Sequence, residues 1–236
     1  MENKKTIIAI GDIHGLTTWK QVVAENPGCK YVFLGDYLDP YIDIAPDLLI
    51  TNLKEIIQLK KEQPDNVILL LGNHDVPYFI HEAIPCKRYN MFIAGNIKQL
   101  FVENQHLFQY AFQEGNIIFT HAGIAHQWFI HDFKGDRHKN IAEQLNNPTP
   151  EQTPALYQCG GGRGGDKNTI GGILWANYTE LDPPLQGYIQ IVGHNQVQEI
   201  QEIPVNDVSV WFCDCLWKGE YLVIDNRQFE VKRVSL

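Results

Sequence analysis

The sequence predicts an α/β fold with four layers, an αββα sandwich in which two mixed β-sheets pack face to face between outer helices. In the first half of the chain, apolar segments typical of buried strands alternate with helical patterns, whereas residues 188–234 indicate successive strands. Five of the apolar segments are followed at once by Asp, His or Asn beside a glycine. We therefore expect one domain over residues 1–236, with its functional site in loops at the carboxyl ends of strands.

The strands that precede these polar loops are short and almost continuously apolar, as expected for sheets that are covered on both faces. They are predicted at residues 6–10, 31–34, 67–71, 117–120 and 188–192. A further strand at 108–113, followed by Glu-Gly-Asn and the strand at 117–120, predicts a hairpin.

Apolar residues at helical spacing predict the helices. The longest begins near Pro46, which suits an early helical position, and ends near Lys60 and Lys61, whose charges suit a helix C-terminus. Other helices are expected around 18–24, 97–104, 125–132 and 140–145. The Pro- and Gly-rich stretch 146–172 is longer than an ordinary connection, so we expect it to be functional or mobile.

Charge and cysteine content narrow the classes of function. The 236 residues carry a formal net charge of −9, which disfavours binding to a nucleic acid duplex and to anionic membranes. No apolar run approaches the length of a membrane span. An odd number of cysteines, five, and a polar start without a secretory signal predict a cytoplasmic protein with reduced thiols. Cys213 and Cys215 are better explained as two buried residues than as half of a zinc site.

The five polar runs together predict a site for two metal ions. They are Gly-Asp-Ile-His-Gly at 11–15, Gly-Asp-Tyr-Leu-Asp at 35–39, Gly-Asn-His-Asp at 72–75, His-Ala-Gly at 121–123 and Gly-His at 193–194. Taken singly, each polar residue has an ordinary explanation as a turn residue or a histidine near the core. As a set they offer the carboxylate, amide and imidazole ligands that two such ions require. The candidate ligands are Asp12, His14, Asp36, Asn73, His121 and His194.

These runs resemble those of the calcineurin-like metallophosphoesterases, especially the phosphoprotein (serine/threonine) phosphatase branch. That branch carries Gly-Asp-x-His-Gly, Gly-Asp-x-Val-Asp-Arg-Gly, Gly-Asn-His-Glu, His-Gly-Gly and Gly-His in the same order. The resemblance implies that Asp36 bridges the two ions, which would be manganese, iron or zinc. It also implies that a metal-held hydroxide attacks a phosphoester directly, that His74 protonates the leaving oxygen and that Asp39 pairs with His74.

The chain departs from this pattern at two positions. Pro40 stands where the family has an arginine that grips the phosphate, and Asp75 replaces a glutamate. Another cation must take the role of that arginine, and Arg163, among five glycines, is the leading candidate; a solvated arginine in a flexible loop is the alternative. Arg88 and Arg137 are weaker candidates. With Asn73, Arg163 completes the predicted substrate-binding residues.

Residues 171–178 resemble the Leu-Leu-Trp element that precedes the last metal histidine of these phosphatases. Trp175 and Tyr178 are therefore candidates for the pocket wall, although on composition alone Trp175 is more often a core residue. The aromatic stretch 76–92 has two explanations, a lid beside His74 or a hydrophobic cover without substrate contact.

Three functions follow from the pattern. The first is a metal-dependent phosphomonoesterase acting on a phosphoprotein or a small phosphoester, with serine/threonine protein phosphatase as one form. The second is a nucleotide or dinucleoside polyphosphate hydrolase with the same chemistry. The third, of another class, is a metal-binding scaffold without catalysis, against which the complete ligand set and His74 argue. The sequence identifies neither the natural substrate nor the oligomeric state.

Overall fold

The strands form two mixed sheets in the computed structural model, which describes residues 5–205 and 208–235, so residues 1–4 of the polar start lie outside it. Along the chain the strands are β1 (Ile7–Ile10), β2 (Lys30–Phe33), β3 (Val67–Leu70), β4 (Phe108–Gln109), β5 (Ala111–Glu114), β6 (Ile117–Thr120), β7 (Ile189–Val192), β8 (Gln201–Val205), β9 (Val208–Phe212), β10 (Glu220–Asp225) and β11 (Gln228–Arg233). The first sheet has the order β11-β10-β1-β2-β3-β4, and the second has the order β5-β6-β7-β9-β8.

Parallel pairing brings the carboxyl ends of the important strands to one edge of each sheet. In the first sheet β1, β2 and β3 are parallel neighbours, and β10 joins β1 antiparallel. In the second sheet β6 and β7 are parallel neighbours, with Phe119 opposite Ile191. The loops that follow the parallel strands β1, β2, β3, β6 and β7 carry the predicted metal ligands.

Alternate residues of the strands face two different apolar layers, because side chains of a strand point to opposite faces. In β1, Ile7 and Ala9 pack between the two sheets with Phe119 of β6, whereas Ile8 and Ile10 pack toward the helices. Both faces are buried, which explains why the strand sequences are continuously apolar.

Helices cover the outer faces of the sandwich, as the sequence predicts. They are α1 (Thr18–Glu25), α2 (Pro46–Glu62), α3 (Ala94–Glu103), α4 (Ile141–Asn146) and α5 (Thr153–Leu156). Helix α2 packs on β3 and on α3, while α4 packs on β5 of the other sheet. Pro46 is the first residue of α2, and Lys60 and Lys61 lie in its last turn. No helix in the described ranges combines the length and apolarity needed to cross a bilayer.

Two predicted elements are wrong in detail. The strand expected over 108–113 is divided, since β4 pairs with β3 of the first sheet and β5 pairs with β6 of the second. The break lies at Tyr110, where the side-chain oxygen of Asn146 accepts the N–H groups of Tyr110 at 2.8 Å and Ala111 at 3.0 Å. These side-chain bonds replace the ladder bonds that one continuous strand would make.

The helix expected over 125–132 is mostly a wide π turn, Trp128–Asp132, in which the N–H of Phe133 donates to the carbonyl of Trp128 at 2.9 Å. The turn buries Trp128, Phe129 and Phe133 together, with stacked rings, which favours the wider winding over a regular α-helix. The stretch 146–172 also contains more structure than the sequence indicates, namely α5 and a 3-10 turn at Gly161–Arg163.

Truncation of the inter-sheet core should destabilise the fold strongly. Phe119 is fully buried between the sheets, so we expect Phe119→Ala to lower the free energy of unfolding by about 3–5 kcal/mol in urea denaturation. Phe92→Ala is the matched control because the Phe92 side chain is 98% exposed, and its effect should stay within about 0.5 kcal/mol. Equal losses for the two variants would contradict the placement of the core.

Candidate metal centre

The loops after β1, β2, β3, β6 and β7 bring all six predicted metal ligands together. Two groups of side chains have ligand atoms within 4.8 Å of one another, and Asp36 belongs to both. The first group is Asp12, His14 and Asp36, and the second is Asp36, His121 and His194. The side-chain oxygen of Asn73 joins the second group, 2.9 Å from Nε2 of His121 and 2.8 Å from Nδ1 of His194.

Backbone carbonyls fix which ring nitrogens face the interior of the site. Nδ1 of His14 donates to the carbonyl of Leu38 at 2.8 Å, and Nδ1 of His121 donates to the carbonyl of Leu34 at 2.7 Å. Because a carbonyl can only accept, Nδ1 of each ring carries a proton and Nε2 is the nitrogen that faces the interior of the site. Nε2 of His14 is 3.7 Å from Asp36, and Nε2 of His121 is 3.4 Å from the same carboxylate.

Carboxylate oxygens, an amide oxygen and imidazole nitrogens therefore converge in the interior of the site. Such electron-rich atoms fit two cations. Burial lowers the pKa of His194, and the positive charges of His121 and Arg163 lower it further, so its ring is neutral. Its Nε2 atom is buried and finds no hydrogen-bond partner within the described residues. Burial and the nearby charge of Asp214 raise the pKa of Asp12 well above its usual range. Bound cations would stabilise the ionised carboxylate of Asp12 and the neutral ring of His194.

His121 shows directly that the site favours positive charge. Burial lowers its pKa, but the carboxylates of Asp36 and Asp12 outweigh burial and raise the pKa to about 9. A cation beside Nε2 would satisfy the same two carboxylates in place of that proton. The residues present thus fit a dinuclear metal site in which Asp36 is shared.

Backbone strain is concentrated in the same loops. Seven non-glycine residues in the described ranges have a positive φ, and four of them belong to this site: His14 (41°), Asp36 (51°), Asp39 (58°) and His194 (60°). A residue other than glycine adopts this region at a cost, and such strain is often found at functional sites. The surrounding hydrogen bonds hold these conformations.

Asp75 supplies much of that support, a role that the sequence did not reveal. Its carboxylate is fully buried and accepts the N–H groups of Asp36 at 2.8 Å, Tyr37 at 2.9 Å and Gly72 at 2.8 Å. It therefore joins the loop after β2 to the loop after β3. The backbone N–H of His74 in turn donates to Oδ1 of Asp36 at 2.8 Å.

His74 and Asp39, which the sequence pairs, are in contact beside the ligands. Nδ1 of His74 donates to Oδ2 of Asp39 at 2.8 Å, and the hydroxyl of Tyr78 donates to Oδ1 of Asp39 at 2.6 Å. Burial lowers the pKa of His74, but the charge of Asp36 and the hydrogen bond to Asp39 raise it to about 12. Divalent cations would offset the contribution of Asp36, which leaves Asp39, with a smaller contribution from Cys86, to keep the ring protonated.

A cavity of about 310 Å³ opens over the ligands. Besides the ligands and His74, it is lined by Tyr41, Cys86, Lys87, Arg88, Arg163 and Trp175. Three cations thus face one cavity of an acidic chain. Of the other candidates, Arg137 is exposed and does not line this cavity, and the 58%-exposed Tyr178 donates its backbone N–H to Asn195 instead.

Arg163 is anchored beside the last ligand. Its Nη2 donates to the side-chain oxygen of Asn195 at 2.5 Å and to the carbonyl of His194 at 3.4 Å. Its Nε is buried and has no hydrogen-bond partner in the described part of the chain. The side chain is therefore held in place rather than solvated.

Sequence reasoning missed Cys86 and Asp214. Cys86 is buried, and its thiol lies 3.1 Å from the carbonyl oxygen and 3.2 Å from the side-chain nitrogen of Asn73. Asp214 is also buried and lines a second cavity of about 160 Å³ together with Asp12 and His14. The sequence does offer a signal for Asp214, because an acidic residue stands between Cys213 and Cys215 in an apolar segment. It offers no comparable signal that Cys86 lies at the site.

Comparisons with known proteins agree with this geometry. A family model described as calcineurin-like phosphoesterase matches residues 5–213. No curated protein matches the chain.

Two phosphatases are among the proteins whose solved structures have a similar fold. A cold-active protein-tyrosine phosphatase of a psychrophile, Shewanella sp., has a TM-score of 0.62 and 16% identity, covering 98% of this chain and 80% of that one. A protein serine/threonine phosphatase from Saccharomyces cerevisiae, with similarity to human phosphatase PP5, has a TM-score of 0.60 and 15% identity. The match covers 100% of this chain and 81% of that one. At these identities the likeness concerns the fold alone.

A methyl group at Gly193 should disturb the metal ligands selectively. A Cβ there would lie 2.1 Å from Oδ1 of Asp12, with its next neighbours at 3.3 and 3.4 Å. We expect Gly193→Ala to weaken manganese binding on the order of 10–100-fold in calorimetric titration while the protein stays folded.

Gly95→Ala provides the control, because a Cβ at Gly95 meets nothing within 4 Å and the residue lies in α3. Its manganese affinity should match that of the wild type. If Gly193→Ala also binds manganese like the wild type, Asp12 is not a ligand in the position described.

Proposed function

The chain belongs to the calcineurin-like phosphoesterases and is a phosphoester hydrolase, and from this premise we propose that it is a phosphomonoesterase that uses two metal ions. The observation that supports this most strongly is the sharing of Asp36 between two ligand groups, with the His74–Asp39 pair directly beside it. A metal-binding scaffold would need the ligands but not a protonated histidine held at the cavity.

The first ion would be held by Asp12, His14 and Asp36, and the second by Asp36, Asn73, His121 and His194. When bound, the two ions would activate a water molecule and neutralise phosphoryl oxygens. The ligand set of oxygen and imidazole nitrogen suits manganese, iron or zinc, and we propose ions from this group. The N–H of His194, which donates to both oxygens of Asp12 at 3.0 and 3.1 Å, keeps that carboxylate in place.

His74 would act as the general acid. Its Nδ1 is occupied by Asp39, so its Nε2–H is the proton available to the leaving oxygen in the cavity that His74 lines. Asp39 keeps the ring charged and oriented, and Tyr78 holds Asp39 through its second oxygen. The ring centres of Tyr78 and Tyr89 lie 4.4 Å apart in a stacked contact, so Tyr89 would help to fix the tyrosine that holds Asp39.

Arg163 and Asn73 would contact the phosphoryl group. The unpartnered Nε of Arg163 and the position of its side chain beside His194 support a phosphate contact. Trp175 lies with its ring 6.1 Å from that of His194 and lines the same cavity, as expected of a pocket wall.

We propose a phosphoprotein as the substrate class, because the ligand cavity is open and three cations surround it. The two similar structures named above are those of protein phosphatases, one for tyrosine and one for serine and threonine. Nucleotides and dinucleoside polyphosphates share the chemistry and are the alternative.

Removal of the acid should slow turnover without loss of metal. We expect manganese-loaded protein to hydrolyse p-nitrophenyl phosphate and phosphopeptides, and His74→Asn to lower kcat by about 10²–10⁴-fold on phosphopeptides, whose alkoxide leaving group needs a proton. The loss should be smaller on p-nitrophenyl phosphate, because p-nitrophenolate leaves without protonation.

His138→Asn is the matched control, since His138 is an exposed histidine that does not line the cavity. It should retain wild-type kcat and metal content. Full activity of His74→Asn on phosphopeptides would exclude His74 as the acid, and an inactive wild type on every phosphoester would contradict the proposed function.

A further inference from the structure

We propose that Arg88 is a phosphate-binding residue of the metal cavity and that it is held for this purpose by Pro40 and Tyr41. The proposal deepens the proposed function and rests on it, because the ligand is the phosphoryl group of the substrate. Arg88 comes from the segment after β3, whereas Pro40 and Tyr41 follow the run that carries Asp36. The two segments meet at the rim of the cavity.

Two contacts fix the guanidinium. Nη1 of Arg88 donates to the carbonyl oxygen of Pro40 at 3.0 Å. The guanidinium carbon also lies 4.6 Å from the centre of the Tyr41 ring, a cation–π contact. An arginine held in this way loses less side-chain entropy when it binds an anion than a free surface arginine does.

Most of the donors of this guanidinium remain available. A guanidinium carries five N–H groups in a rigid fork that matches two oxygens of a phosphate. Apart from the bond to Pro40, the described part of the chain offers the Arg88 group no hydrogen-bond partner. The side chain is exposed and lines the cavity together with Asp36, Asn73 and His74.

The position of Tyr41 connects this cation to the reacting centre. The Tyr41 ring lies 4.7 Å from the ring of His14, and the His14 ring lies 5.1 Å from that of His74. Arg88 is therefore separated from a metal ligand by one aromatic ring. A phosphoryl group over the ligands would have Arg163 on the His194 side and Arg88 on the Tyr41 side.

This arrangement also explains how the chain can carry Pro40 in its second run. A proline offers neither a charged side chain nor an N–H, but its carbonyl can still accept a hydrogen bond. Here that carbonyl positions a cation from another segment instead. The hydrogen bond to the Pro40 carbonyl thus links the Arg88 side chain to the backbone of the loop that carries Asp36.

The test is the binding of inorganic phosphate to manganese-loaded protein, measured by calorimetry and as competitive inhibition. We expect Arg88→Ala to weaken phosphate binding and to raise KM by at least about tenfold, which corresponds to about 1.4 kcal/mol. Metal content should stay at the wild-type level. Arg88→Lys should be intermediate, because it keeps the charge but loses the fork.

Two further variants separate a binding role from a structural one. Tyr41→Ala should weaken phosphate binding in the wild-type background but not in the Arg88→Ala background, since Tyr41 acts by positioning Arg88. Arg137→Ala, an exposed arginine outside the cavity, should leave phosphate affinity unchanged.

The outcomes distinguish this proposal from the proposed function. If Arg88→Ala binds phosphate as tightly as the wild type, Arg88 only pins its segment to Pro40 and the proposal is overturned, whether or not the enzyme turns over. If wild-type protein hydrolyses no phosphoester but binds phosphate through Arg88, the proposed function fails while the phosphate site stands. Equal losses in Arg88→Ala and Arg137→Ala would also overturn the proposal, because they would indicate a general charge effect.

Discussion

Crowding of lone pairs around Asp36 is the constraint on which the rest of the site depends. Imidazole nitrogens of His14 and His121 face this carboxylate, and Asn73 faces His121 and His194. Such a buried arrangement is costly without positive charge between its members. The three N–H bonds that Asp75 accepts help to hold the strained loops in this arrangement. The fold thus holds the ligand side chains in an arrangement that bound cations would stabilise.

Much of the fold and of the site could be predicted because both depend on local patterns. Continuously apolar runs are typical of strands buried on two faces, and β1, β2, β3, β6 and β7 begin and end within one residue of the predicted bounds. Carboxyl ends of parallel strands share one edge, so polar residues after each strand had to meet there. The predicted αββα fold and the predicted family are confirmed. The roles of the six metal ligands and of His74, Asp39 and Arg163 stay predictions.

What the sequence did not reveal depends on contacts between distant segments. The sequence indicates only that Asp75 is a mild replacement of a glutamate, yet two of its three backbone contacts join loops about 40 residues apart. Arg88 appeared weaker than Arg163, because nothing in the local sequence shows that it reaches the carbonyl of Pro40, 48 positions away. The break of the strand at Tyr110 likewise depends on Asn146, 36 positions away. Periodicity within one segment carries no information on such partners.

The central claim, that two cations share Asp36, is tested most directly by anomalous scattering from crystals grown with manganese. The account predicts two manganese peaks per chain, about 3.5–4 Å apart, with oxygens of Asp36 in contact with both. One peak should lie beside Asp12 and His14, and the other beside Asn73, His121 and His194. A single peak at full occupancy, or two peaks that do not both contact Asp36, would contradict the account.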